Sequence, residues 1–248
     1  KNILINRSME DRVDPALGID RVDYSKPIRI APDVKVMLKL LEDNRREIRA
    51  IKDSNHRDKQ RRLRELYLEI FEPHVKIIDF KGKPPTIDRF EIIEEKGKET
   101  VFKKVGETPI WINSSRKGLN LRPGYRNGDK RAPYPITLDD NGVHCMLGGI
   151  TGSGKSVMLN DLIVAMMLEY APWEVAMYLT DFKKVELSRY GNTHKSPHVK
   201  VVAATEDSDY VTTMFNAIKE EMMDRQKLFE AVELQHIKDF RSEFNMIM

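Results

Sequence analysis

The chain has 248 residues, with 42 Lys and Arg set against 39 Asp and Glu, and 33% charged against 40% hydrophobic residues. This near balance supplies no global field that would by itself require nucleic acid or a membrane, so any basic surface must be local. The single cysteine, Cys145, excludes an internal disulfide, and no run approaches the roughly 18 consecutive apolar residues of a membrane-spanning helix.

The length suffices for two domains of ordinary size. The opening residues, KNILINRSMEDR, lack the apolar core of a signal peptide, and a reducing, cytoplasmic setting is expected. A start on Lys1 and a stop at Met248 after a helix-like run suggest part of a longer polypeptide, so a membrane tether would lie outside these residues. Residues 1–32 contain three prolines and no sustained period and read as an irregular arm or linker. Residues 33–74 form a helical segment: Val34, Met37, Leu38, Leu41, Ile48, Ile51, Leu63, Leu66, Tyr67 and Ile70 recur at helical spacing, giving two helices or one broken near Ser54-Asn55. Pro73 ends the pattern. Between Arg45 and Arg64 nine basic residues accompany three acidic ones; a solvated helical face is favoured there over a contact with DNA phosphates, because the apolar positions persist beside the charges.

Residues 75–132 read as a small β-containing module and a linker loop. Short β-rich pieces (VKIIDF, TIDRFEIIEE, TVFKKV, PIWIN) are separated by turns, and the Gly-, Pro- and Arg-rich run SSRKGLNLRPGYRNGDKRAPYP follows. From residue 133 to 248 strands and helices alternate, which predicts an α/β domain. Ile136–Leu138 and Val143–Leu147 flank an Asn141-Gly142 turn, a helix runs from Lys155 to Tyr170, Val175–Thr180 and Val199–Ala203 read as buried parallel strands, and an amphipathic helix runs from about Ser208 to Val232, with Thr205, Glu206, Asp207 and Ser208 at its start.

Gly149-Ile150-Thr151-Gly152-Ser153-Gly154-Lys155-Ser156 satisfies G-x-x-x-x-G-K-[ST] in full. Gly152 and Gly154 permit positive φ and close approach of the backbone, so that successive N–H groups converge on phosphate oxygens. Lys155 places an ammonium against the β and γ phosphates, the Ser156 hydroxyl ligates Mg²⁺, and the helix N-terminus adds partial positive charge. The expected nucleotide cradle is Gly149, Thr151, Gly152, Ser153, Gly154, Lys155, Ser156 and Val157, with ATP and Mg²⁺ as cofactors. Weaker candidates have plainer readings: His194 and His198 flank Pro197 and belong to a loop rather than a metal site, Cys145 and the methionines read as core filler, and the loop Arg116–Arg131 could supply an arginine finger or be a linker.

The runs HCMLGGITGSGKSVMLNDLIVAMM, VAMYLTDFKKVELSRY, PHVKVVAATED and IKEEMMDRQKLFEAVELQHIKDF, in that order, resemble the FtsK/SpoIIIE superfamily. DNA-translocase members carry Asp-Pro-Lys where this chain has Asp181-Phe182-Lys183; the phenylalanine is closer to the type VII secretion ATPases, whose usual following glycines are absent. Pro85–Ile92 is similar to the segment opening the small domain ahead of the motor in chromosome translocases, which puts the DNA branch first. The resemblance implies an incomplete RecA-like P-loop NTPase domain and a ring motor, expected to be a hexamer, that moves double-stranded DNA by ATP hydrolysis. The alternatives are a type VII secretion ATPase driving protein export and a nucleotide-binding, non-hydrolysing structural subunit. Lys155, Asp181 and Lys183 are the implied catalytic set, the last two at a strand end where open α/β sheets bind ligands. No apolar run ending in paired acids follows the helix from Ser208, so this chain is expected to bind nucleotide and turn it over weakly.

Overall fold

A computed structural model describes residues 20–248 except 97–98, 126–132, 184–185, 192–195 and 205–207. The chain divides into two compact units. One comprises Gly82–Val175 with the described residues up to Ser25, and the other Lys26–Lys81 with Ala176–Met248.

Helices organise the second unit. Strand β1 (Ile28–Ile30) pairs antiparallel with β2 (Lys76–Ile78), and between them in sequence lie α1 (Val34–Asp43), α2 (Arg45–Lys52) and α3 (Lys59–Phe71). The expected helical segment is therefore three helices rather than two. The additional break is at Asn44, whose side-chain amide donates to the Leu40 carbonyl at 2.8 Å and so competes with helix continuation. Pro73 stands in a short 3₁₀ turn, Glu72–His74, directly after α3. The strand at 28–30 lies inside the stretch expected to be irregular. Its pattern, three residues long, is too short to show a period.

The same unit carries β7 (Met177–Thr180) and β8 (Val199–Ala203), a parallel pair from Met177↔Val199 to Thr180↔Ala203 with a register shift between Met177 and Tyr178. After β8 come α5 (Ser208–Ala231) and α6 (Ile237–Phe244). Val211 and Met214 near the start of α5 pack on Ala203 of β8. At its other end Leu228 and Val232 join Val34, Met37, Leu63, Tyr67, Phe71, Phe240 and Phe244 in the main core. A 24-residue helix is about 36 Å long, so α5 serves two cores in turn. The cap residues Thr205–Asp207 lie outside the described residues.

In the other unit β3 (Thr86–Lys96) and β4 (Glu99–Pro109), which hold two of the expected β-rich pieces, form a long antiparallel hairpin. Strands β5 (Leu119–Tyr125) and β6 (Pro133–Leu138) pair antiparallel. Most of β5 had read as loop because Pro123 and Gly124 interrupt it; the ladder accommodates them at a register shift between Leu121 and Gly124, where a proline is tolerated. Leu121 is buried against Ala165 and Tyr170, which fixes β5 on helix α4 (Lys155–Glu169).

One expected strand does not form. Val143–Leu147 has no ladder partner among the described residues and runs as irregular chain, with Met146 95% and Ile150 81% exposed. A strand needs a neighbour for its backbone N–H and C=O groups, however apolar its sequence. In place of a hairpin across Asn141-Gly142, β6 pairs with the earlier strand β5, and Asp139 closes the turn that follows β6, its Oδ1 accepting from the Asn141 and Gly142 amides at 2.8 and 3.2 Å. Cys145, read as buried, is exposed for the same reason. The methionines divide: Met37, Met177, Met214 and Met246 are core, while Met146, Met222 and Met223 face solvent.

Candidate nucleotide-binding loop

The glycine loop opens α4 in the way the spacing requires. Gly152 and Gly154 both have positive φ, at 81° and 88°, and Gly154 is the left-handed residue immediately before Lys155. An L side chain rarely adopts that backbone, although a Cβ at either position would meet nothing within 4 Å. The constraint is therefore conformational and leaves open space above the loop. Gly149 has no positive φ; a Cβ there would stand 2.5 Å from Ser153 Oγ, so that hydroxyl would have to turn aside.

Lys155 folds back over the loop, its Nζ donating to the Ile150 carbonyl at 2.7 Å, and the Ser153 amide donates to the same oxygen at 3.2 Å. One carbonyl thus collects an ammonium and an amide, both donors that suit a phosphate oxygen equally well. Gly149–Gly154, Ser156 and Val157 are exposed, so an anion has access. The Gly154 carbonyl accepts from Met158 at 2.9 Å, the first regular bond of α4. Helix N–H groups ahead of that bond have no intrahelical acceptor and are the donors an anion would use. The donor chemistry of the loop fits a triphosphate.

Asp181 and Lys183 lie in the other unit, just past β7. The Asp181 amide donates to the Ala203 carbonyl at 3.0 Å, extending the parallel pair by one bond. Its carboxylate organises the loop that follows: Oδ1 accepts from the Lys183 amide at 3.0 Å, and Oδ2 from the Glu186 and Leu187 amides at 2.8 and 3.0 Å. This loop-shaping role was not foreseen from sequence; an aspartate followed within six residues by a tight turn is the one local signal for it. The Lys183 side chain is exposed.

The other sequence candidates take plain roles. In the helices α1–α3, Arg45 pairs with Glu42, Arg49 with Asp53, Arg61 and Arg62 with Asp58, Lys52 with Glu233, and Arg64 with Glu243. Arg64 also stands 5.5 Å over the Phe244 ring. These basic residues are engaged with their own protein's carboxylates, as a solvated face would have them. His198 is buried, with its carbonyl accepting from Met177 at 2.8 Å; His194 lies outside the described residues. Among the described residues no group of three or more His, Cys, Asp or Glu is placed to hold a metal ion. No described helix is long and apolar enough to cross a membrane.

The far end of α4 is tightly held. Tyr170 is fully buried, its hydroxyl accepts from the Asn120 amide at 2.7 Å, and burial pushes its pKa up to about 12. The run Pro109–Asn113, expected as one more β piece, instead sends Trp111 and Asn113 to the helix terminus.

Comparison with known proteins is consistent with this loop. A family model described as FtsK/SpoIIIE family matches residues 115–247, more than half of the chain. The ESX secretion system protein YukB of Bacillus subtilis is 28% identical over 160 residues, covering 63% of this chain and 10% of its own length. The DNA translocase FtsK of Clostridium tetani is 34% identical over 139 residues, covering 54% of this chain and 18% of itself. That of Rickettsia prowazekii is 33% identical over 100 residues, or 40% and 13% respectively. The chain thus spans less than a fifth of the length of these relatives. No solved structure matches it.

Proposed function

Because the chain belongs to the FtsK/SpoIIIE family, we propose that it is the nucleotide-binding part of an ATP-driven motor whose track is double-stranded DNA. The observation that carries this reading is the loop geometry: two left-handed glycines, a lysine already turned over the loop, and a helix starting at that lysine. The loop amides and Lys155 would hold the β and γ phosphates, and Ser156 would ligate Mg²⁺. The metal, when bound, offsets negative charge on the phosphoryl group being transferred. Lys155 would orient the triphosphate and neutralise the same charge from the protein side. On the family resemblance Asp181 and Lys183 are proposed to act on the nucleotide too, in a RecA-like domain assembled as a ring, expected to be a hexamer. The domain order proposed is an irregular arm to residue 32, a helical segment to 74, a β-containing module to 132 and the motor domain beyond. A cytoplasmic setting is proposed, with any membrane tether outside these residues.

Two observations favour a second reading, a secretion ATPase with protein cargo. YukB is matched over more of the chain than the Clostridium tetani and Rickettsia prowazekii translocases are, and Phe182 stands between Asp181 and Lys183. A third reading, a subunit that binds nucleotide and does not hydrolyse it, is supported by the engagement of Asp181 with its own loop. ATP turnover of the intact motor with and without double-stranded DNA, across a salt series, separates them. Stimulation by DNA that fades as salt rises supports the DNA motor, since phosphate contacts release counterions. Turnover indifferent to DNA at every salt favours protein cargo, and bound nucleotide without turnover favours the third reading.

A further inference from the structure

An α-helix leaves its last four carbonyls without intrahelical partners. Past the last regular bond of α4, three of these carbonyls are satisfied by one remote segment. The Met166 carbonyl accepts from the Tyr170 amide at 3.1 Å. The Met167 carbonyl accepts from the Trp111 indole N–H at 3.0 Å, the Leu168 carbonyl from the Trp111 amide at 2.7 Å, and the Glu169 carbonyl from the Asn113 amide at 2.9 Å. The Asn113 side chain donates in addition to Glu169 Oε2 at 3.2 Å. Residues 111–113 directly follow Ile110, and the hairpin strand β4 ends at Pro109.

Trp111 makes these contacts from a left-handed backbone, with φ of 58°, a conformation that a bulky side chain avoids. Such an outlier persists only where its surroundings over-determine it. Here they do: besides the two bonds to α4, the Trp111 carbonyl accepts from the Tyr24 hydroxyl at 2.7 Å, and its ring meets Trp173 edge-on with centroids 5.4 Å apart. Ile110 and Leu168 are buried together beneath it.

We infer that Trp111 is a positioning residue that fastens the outgoing strand of the β3–β4 hairpin to the C-terminal end of the phosphate-loop helix, so that nucleotide bound at one end of α4 and the hairpin at the other bias each other's placement. The inference rests on the nucleotide reading of the loop. A packed helix moves as a rigid element, and α4 is about 22 Å long, so phosphates at Lys155 cannot touch Trp111 directly. Coupling of this kind is reciprocal: what nucleotide does to the clamp, the clamp does to nucleotide affinity.

The chain has two tryptophans, Trp111 and Trp173, and both stand at this clamp, so indole emission reports on it alone. The test titrates the 248-residue chain with Mg²⁺ and a non-hydrolysable ATP analogue while following emission excited at the red edge, with binding heat measured in parallel. Emission should change with the same midpoint as the heat, and both signals should vanish in Lys155→Ala. Trp111→Phe keeps an aromatic side chain, smaller than indole, and loses the indole donor; its affinity should fall about fivefold, the low end of coupling between linked sites, while Trp173 emission no longer follows binding. Binding with silent emission, or unchanged affinity in a folded Trp111→Phe, overturns the inference and leaves the nucleotide site standing. Absence of any binding heat in the unmodified chain overturns the nucleotide reading and this inference with it.

Discussion

Replacing Gly154 by alanine tests the loop reading with few confounding terms. Its φ of 88° lies in the left-handed region, and the added Cβ would meet nothing within 4 Å, so no clash contributes. What remains is the backbone term, about 1–2 kcal/mol for an L-residue held there. Alanine also lowers the entropy of the unfolded chain, which returns roughly 0.4–1 kcal/mol. The loop is exposed and anchored mainly through the Ile150 carbonyl, so it can relax locally and leave the fold intact. The net cost, at most about 1.6 kcal/mol, then shows as a smaller population of the binding-competent loop, and apparent affinity falls by the reciprocal of that population, up to roughly 15-fold. Gly148→Ala is the matched control: its φ is not in the left-handed region and its Cβ also meets open space. It should be neutral or slightly stabilising. Thermal melts and Mg²⁺-ATP binding, measured on both variants, decide the matter. If Gly154→Ala binds and melts as Gly148→Ala does, the left-handed loop conformation is not what makes the site.

Asp181→Ala strips three loop amides of their acceptor and should cost about 1–3 kcal/mol of local stability, read as faster hydrogen exchange at Lys183, Glu186 and Leu187; unchanged protection there refutes the role. Phe244→Ala removes a fully buried ring packed on Tyr67, Phe71 and Phe240 and should destabilise the helical unit by about 3–5 kcal/mol in a denaturant titration; a loss below 1 kcal/mol would mean that α3 and α6 do not share a core. The Arg29 guanidinium, bonded to both Glu72 oxygens, holds the Glu72 carboxyl below its usual range. Because the folded value is the lower one, the stabilisation is complete above about pH 4.3 and fades as pH falls through the folded value. The pair is partly exposed, so the loss should stay under about 1 kcal/mol, and Glu72→Gln should flatten it.

What could be read from the sequence was local. The glycine loop's conformation, α4, α5 and the two apolar runs that became β7 and β8 are each specified by residues close together, through glycine conformation and hydrophobic period. The errors lie where structure depends on a distant partner. Val143–Leu147 has strand chemistry and no ladder, whereas Leu119–Tyr125 has loop composition and acquires a ladder from β6 and a buried Leu121. Asp181 stands at the strand end where the sequence puts it, and its carboxylate also accepts from amides two to six residues on. The clamp on α4 brings Trp111 and Asn113 to carbonyls more than fifty residues away, a pairing no spacing rule would announce.

A motor of the proposed kind requires the loop at Gly149–Ser156 to take up a triphosphate. Equilibrium binding of Mg²⁺-ATP to the unmodified chain and to Lys155→Ala, with melting curves confirming that both are folded, tests this most directly. Saturable binding that is lost in the variant at an unchanged melting temperature is the predicted result; equal binding by the two proteins, or none by either, would contradict it.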